Sequence, residues 1–167
     1  VFGNLFDVSL AGRVVGTSIG AFYLDVGTEN AAMLPGKSGM YVGVNTITKD
    51  GQFIGGGAFD DDLNTVGIVY EQQANGSYEL LDVQYLTTEG LSLLRMDVVD
   101  GPEGPHGVGN YADVNGAVQI ALWGVEDAVF KTHLGAGYAT AAVYESGYLF
   151  SSTDQGIVTA TNLATLQ

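Results

Sequence analysis

The chain has 167 residues, with 25 glycines, 3 prolines, no cysteine, and 19 Asp and Glu against 5 Lys and Arg, a formal net charge of −14. The missing cysteine excludes disulfide scaffolds, thiolate zinc sites and cysteine nucleophiles. The cations Arg13, Lys37, Lys49, Arg95 and Lys131 are scattered singly, which excludes the clustered Lys and Arg of a nucleic-acid surface; an acidic surface also repels anionic membranes, and no apolar run approaches the roughly 20 residues of a membrane helix.

The glycines fall between short apolar runs, which is the texture of turns in an all-β domain. In chain order the β-type runs are 14–26, 40–48, 52–59, 66–73, 78–87, 91–99, 117–124, 128–134 and 138–150. Lys49-Asp50-Gly51 reads as a type I turn with a left-handed glycine joining the second and third runs, and Asn75-Gly76 closes the next hairpin in the same way. The Pro-Gly stretch "DGPEGPHGVGN" (100–110) reads as one long irregular loop. Two segments with helical propensity, "TEGLSLLRM" and the terminal "NLATLQ", are too short to stand as helices alone. No internal repeat and no low-complexity tail stand out. Residues 1–167 are expected to form a single all-β domain, a barrel or barrel-like sandwich.

The run 14–26 carries the first candidate site. Read as one strand, it places Gly16, Ser18, Gly20, Phe22 and Leu24 on one face and Val15, Thr17, Ile19, Ala21, Tyr23 and Asp25 on the other. Glycine inside a strand marks a bend, or a place where something approaches the backbone closely, so this floor is either a barrel corner or room for a ligand. On 91–99, Arg95 and Asp97 share a face with leucines, either as a surface pair or as an anion-holding group. Tyr70 and Trp123 either stack on a ligand or fill the core.

Asp60, Asp61 and Asp62 form a weak candidate Ca²⁺ site, or a solvated acidic turn, because they lack the full spacing of a calcium loop. His106 and His133 are too far apart in sequence to suggest a metal pair. No Gly-x-Ser-x-Gly elbow is present, Ser18 in "GTSIG" being off-centre, and no phosphate-cradling glycine loop occurs.

Three segments carry a family resemblance: "LFDVSLAGRVVGTSIGAFY" (5–23), "VNTITKDGQFIGGGAF" (44–59) and "GVGNYADVNGAVQI" (107–120). With Phe6, Asp7, Leu10, Val15, Gly16 and Gly20 in the first and Gly107, Gly109, Tyr111 and Gly116 in the last, the chain resembles the allene oxide cyclase-like and dirigent-like β-barrels. The resemblance implies a closed or nearly closed antiparallel barrel of about eight strands, with 66–99 as an inserted hairpin. It implies stereoselective cyclisation or coupling of an apolar small molecule held in the barrel, without a cofactor, and a homo-oligomer, often a trimer. Such catalysis works by orientation. Asp7 is the motif position, and the family's use of scattered Arg and Tyr groups adds Arg95 and Tyr23 as catalytic candidates beside the ligand-facing Gly16, Ser18, Gly20, Phe22, Tyr70 and Trp123.

Two other readings fit the same composition. One is a non-catalytic homo-oligomeric subunit of a capsid, appendage or surface layer, built through exposed edge strands. The other is a calcium-stabilised carbohydrate-binding module with metal at Asp60 to Asp62. Val1 is not followed by a basic and then an apolar segment, and low Lys, high Gly and absent Cys suit a secreted or extracellular protein.

Overall fold

A polar residue followed three positions later by glycine closes five hairpins along this chain. The glycine N–H donates to the backbone carbonyl of that polar residue in Ser9–Gly12, Thr48–Gly51, Gln73–Gly76, Asp113–Gly116 and Thr153–Gly156, at 2.8–3.0 Å. The side chains of Ser9, Thr48, Asp113 and Thr153 accept a second N–H from just beyond the glycine. Gly51 sits at φ 78°, a conformation that a side chain disfavours. Such type I turns followed by a left-handed residue set the register of a hairpin. This is an internal repeat of turn chemistry, hidden because only the glycine spacing is constant.

The computed structural model describes residues 4–59, 61, 65–81, 92–101, 104–125 and 130–165, excluding the side chains of 65, 92–96 and 130. Its strands form four antiparallel meanders. Blade 1 holds β1 (Asn4–Val8), β2 (Arg13–Thr17), β3 (Ala21–Asp25) and β4 (Ala32–Met33). Blade 2 holds β5 (Tyr41–Ile47), β6 (Phe53–Phe59), β7 (Thr65–Gln72) and β8 (Tyr78–Leu80). Blade 3 holds β9 (Ser92–Val99), β10 (His106–Ala112), β11 (Val118–Gly124) and β12 (Phe130–Ala136). Blade 4 holds β13 (Ala139–Glu145), β14 (Tyr148–Thr153) and β15 (Val158–Asn162), and a single 3-10 turn, Leu163–Thr165, follows.

The expected eight-stranded barrel does not form. A barrel needs every strand paired on both sides around a closed ring, whereas the described strands pair only within their own meander and no ladder joins one sheet to the next. The four sheets instead stand around a common axis with their first strands innermost, the arrangement of a four-bladed β-propeller.

The run 14–26 is a hairpin, not one strand: β2 and β3 pair Thr17 with Ala21, leaving Ser18-Ile19-Gly20 as the turn. The run 138–150 is likewise two strands, turned at Ser146 (φ 51°) and Gly147 (φ 87°). Both turn positions have positive φ, as a two-residue hairpin needs. The long loop at 100–110 shortens to the residues before β10, because His106–Ala112 pairs with both β9 and β11. The inserted hairpin 66–99 is distributed between blades 2 and 3.

The core consists of layers between blades. Val15, Ala21, Val44, Ile54, Ile68 and Tyr70 form the layer between blades 1 and 2. Phe53, Val69, Val98, Tyr111 and Trp123 form that between blades 2 and 3. Val99, Val108, Ile120, Leu122, Ala139 and Leu149 form that between blades 3 and 4. Blade 2 is therefore apolar on both faces. Its β6 packs so closely on β5 that a Cβ at Gly56 would meet the Val44 Cα at 2.8 Å.

Candidate functional site

An innermost strand has one free edge, and its unpaired N–H groups need acceptors. Side chains of the preceding blade supply them. Asp7 Oδ2 accepts from the Ile47 N–H at 2.9 Å, Thr17 Oγ1 from Val44 at 3.1 Å, and Thr46 Oγ1 from Val98 at 2.8 Å. Asn110 Oδ1 accepts from Ala139 at 3.2 Å while its Nδ2 donates to the Gly137 carbonyl at 3.0 Å. Asn45 adds a bond from its Nδ2 to the buried Asp97 carboxylate at 2.9 Å.

The axis between β1, β5, β9 and β13 holds two cavities. One, of about 300 Å³, is lined by Phe6, Asp7, Asn45, Thr46, Asp97 and Thr140 among others. The other, of about 340 Å³, lies towards the β1–β2 turn end, with Val8, Lys49, Asp100 and Tyr144 in its wall. Lys49 reaches across to Glu145 at 2.9 Å and to the Tyr144 carbonyl at 3.3 Å, and its backbone N–H donates to Asp100 at 3.0 Å. The hydrogen-bonded pair raises the Lys49 pKa and lowers that of Glu145. Both groups are exposed, so this contact contributes little to stability.

A third concavity, of about 380 Å³, opens between blades 1 and 2, lined by Ser18, Ile19, Met33, Met40, Tyr41 and Phe59 among others. Tyr41 and Phe59 are cross-strand partners whose rings stack at 5.4 Å between centroids. Ile19 at the hairpin tip is 97% exposed and Tyr41 61%. This is an apolar groove with the polar backbone of Gly36 and Gly43 at its wall.

The sequence-derived candidates do not converge on one place. Asp7 serves β5 and faces the axis. Tyr23 packs edge-on against Tyr78 at 5.0 Å, with the Arg13 guanidinium 4.9 Å from its ring. Arg13 in turn grips Asp25 with two bonds of 2.6 and 2.8 Å, which raises its own pKa and lowers that of Asp25. The Arg95 side chain lies outside the described residues, as do Asp60 and Asp62; Asp61 is exposed.

The glycine floor separates as well. A Cβ at Gly16 would run into the Asn4 backbone carbonyl of β1 first and would also meet the buried Phe22 ring at 2.9 Å, so this glycine lets β1 and a neighbouring ring approach β2 closely. Ser18 and Gly20 line the groove between blades 1 and 2. Tyr70 is fully buried, its hydroxyl donating to the Pro35 carbonyl at 2.6 Å, and burial pushes its pKa up to about 12. Trp123 is fully buried and meets Tyr111 edge-on at 6.1 Å. Both are core anchors.

His106 and His133 stay apart, His106 against the Gly104 carbonyl and His133 between Tyr111 and Gln119. Among the described residues no group of three or more His, Asp or Glu is placed to hold a metal, and no helix is long and apolar enough to cross a membrane. The groove residues Tyr41, Phe59, Met33 and Met40 were missed because they lie at strand ends and in a connection. The only sequence signal was large apolar residues at positions where a hairpin normally turns polar.

No protein-family model matches this sequence, and the search of curated proteins finds no match. Among solved structures, TolB from Acinetobacter baumannii is similar over 96% of this chain and 44% of its own, with a TM-score of 0.56 at 12% identity. The chain thus spans less than half the length of that protein. Chains from a nidogen/laminin complex and a mitotic checkpoint complex are similar over 98% of this chain and 77% and 61% of their own. Their TM-scores are 0.48 and 0.45, at 11% and 15% identity. The likeness to TolB agrees with the radial arrangement of the sheets and overturns the cyclase reading together with its isomerase chemistry: four stacked sheets with apolar layers between them have no barrel interior in which to fold a substrate.

Proposed function

We propose that this chain is a protein-interaction propeller that holds an extended, cationic segment of a partner protein in the groove between blades 1 and 2. The observation that carries this reading is the groove itself, where Ile19, Met33, Tyr41 and Phe59 are exposed around one concavity. Contiguous exposed apolar side chains mark interaction surfaces, and aromatic and Met side chains are enriched at them. Met33 and Met40 give the walls adaptable packing.

The partner's charge follows from that of the chain, since a formal net charge of −14 draws basic segments and repels acidic ones. An extended segment fits because its alternate side chains can enter the groove between the Ile19 and Met33 wall and the Tyr41 and Phe59 wall.

The test uses short synthetic peptides that carry a Leu, Phe or Trp anchor flanked by Lys and Arg, each paired with the same anchor flanked by Glu, read by fluorescence anisotropy. The basic series is expected to bind about tenfold tighter or better, weakening as salt rises, and Tyr41→Asp is expected to remove binding with the melting temperature unchanged. Equal affinity for the two series, no binding by either, or indifference to Tyr41→Asp overturns the reading.

A further inference from the structure

Tyr41 opens β5 and Phe59 closes β6, so the ladder that pairs them holds both rings at one end of blade 2. The rings stand 5.4 Å apart with 28° between their planes. Stacked in this way, each turns one face to its partner, and at 61% exposure the second face of Tyr41 is open where it lines the groove between blades 1 and 2. On the facing wall the Met33 side chain lies over Gly20, where a Cβ would meet its Cε at 3.0 Å. The groove thus offers an aromatic plane on one side and an unbranched apolar side chain on the other.

Among the described residues no charged side chain lines this groove. A carboxylate stands next to it: Asp61 is exposed and follows Phe59 by two positions, which keeps its Cα within about 7 Å of that of Phe59. Lys37 lies in the connection from β4 to β5, whose Gly36 and Met40 are part of the wall, but is not itself part of it. The face of an aromatic ring is electronegative, so the open face of Tyr41 and the nearby Asp61 favour the same sign of charge.

We infer that the groove takes an arginine of the partner segment, its guanidinium plane lying on the open face of Tyr41 and its edge turned towards Asp61. This rests on the reading of the groove as the site of a cationic segment and names the side chain that the site selects. A guanidinium is planar, delocalised and weakly hydrated, so it stacks on a ring at little desolvation cost, whereas a lysine ammonium is a compact and strongly hydrated charge without a plane to stack. The methylene stem of the arginine runs along the apolar Met33 wall while its charged end stays at the rim. Because Phe59 already holds the Tyr41 ring in place, little rotamer freedom is lost when the guanidinium arrives.

The test takes the basic peptide that binds most tightly and makes the cation beside its apolar anchor arginine, lysine or citrulline, every other basic residue being lysine. Citrulline keeps the length and plane of arginine without its charge. By fluorescence anisotropy on the wild-type chain, the lysine form is expected to bind about threefold and the citrulline form about tenfold more weakly than the arginine form. This comparison needs no variant of the protein. Tyr41→Leu, which keeps an apolar side chain and removes the ring, is expected to make the arginine and lysine forms equal with the melting temperature unchanged. Asp61→Asn is expected to weaken the arginine form about twofold, at low salt only. Equal affinity for the three forms, an arginine preference that survives Tyr41→Leu, or an arginine form indifferent to Asp61→Asn at low salt overturns this inference and leaves the preference of the groove for basic over acidic segments standing. Binding by none of the peptides overturns both.

Discussion

Blade 2 and blade 4 are built alike, as meanders closed by the same polar-x-x-Gly turn, yet they differ in what their second face meets. In blade 2, Ile54, Ala58, Ile68 and Tyr70 face blade 1 while Phe53 and Val69 face blade 3, and all are buried. In blade 4, Leu149 is buried against blade 3, and its neighbours Tyr148 and Phe150 are exposed. Strand formation therefore does not decide burial here. A blade is as buried as it has neighbours, and a sandwiched blade reads as a continuous apolar run where a flanking one alternates.

The sharpest way to break that comparison is to truncate one large side chain from each kind of face. Trp123→Ala, in the layer between blades 2 and 3, is expected to cost about 3 to 5 kcal/mol, as large-to-small changes at buried aromatics do. Phe150→Ala on the free face of the single chain is expected to stay within about 0.5 kcal/mol. Urea unfolding of both variants measures the contrast, and similar losses would show that blade 4 has no free face.

A second difference is titrable. Tyr70 in the layer between blades 1 and 2 has its pKa raised by burial to about 12, so the folded state holds the phenol proton more tightly than the unfolded one. That contribution is complete below the unfolded value of about 10 and is lost as pH rises from there through about 12. At the linkage slope it amounts to roughly 2 to 3 kcal/mol. Tyr70→Phe is expected to flatten the fall in melting temperature over that alkaline window; an identical fall in both proteins would assign it elsewhere.

The smallest effect is expected at the axis. Asp7→Ala removes the acceptor that blade 1 offers to the Ile47 N–H on the edge of blade 2, leaving a donor without its partner. The expected loss is about 1 to 2 kcal/mol, the lower part of the range for an orphaned group because the axial cavity admits water. Faster amide exchange at Ile47 than at Val98, where Thr46 is still in place, checks that the loss is local.

Much of the strand content was legible, and the reasons for the failures are local. Runs 40–48, 52–59, 66–73, 91–99 and 117–124 correspond to β5, β6, β7, β9 and β11 within a residue or two, because hydrophobic runs bounded by glycine turns are strong signals. The runs at 14–26 and 138–150 were misread because their turns, Ser18-Ile19-Gly20 and Ser146-Gly147, interrupt no apolar pattern. In the first, the turn places a β-branched residue at its tip. Reading that hairpin as one strand put Gly16 and Gly20 on a common face, where they suggested a ligand floor. They have separate tasks, one beneath the Phe22 ring and one beside the groove.

The groove was less legible than the fold. Tyr41 and Phe59 lie 18 positions apart, and only the β5–β6 register makes their rings stack.

By itself the sequence determined an all-β chain of short strands, the positions of the glycine turns that pair neighbours into hairpins, and an acidic surface with no cysteine chemistry. These depend on residues close together along the chain. Only the tertiary structure decided that the meanders stack face to face instead of closing edge to edge into a barrel. The alternation of apolar residues is the same in both arrangements. The choice between them rests on contacts such as Tyr70 against blade 1 and Trp123 against blade 2, between side chains whose separation in sequence carries no periodic signal.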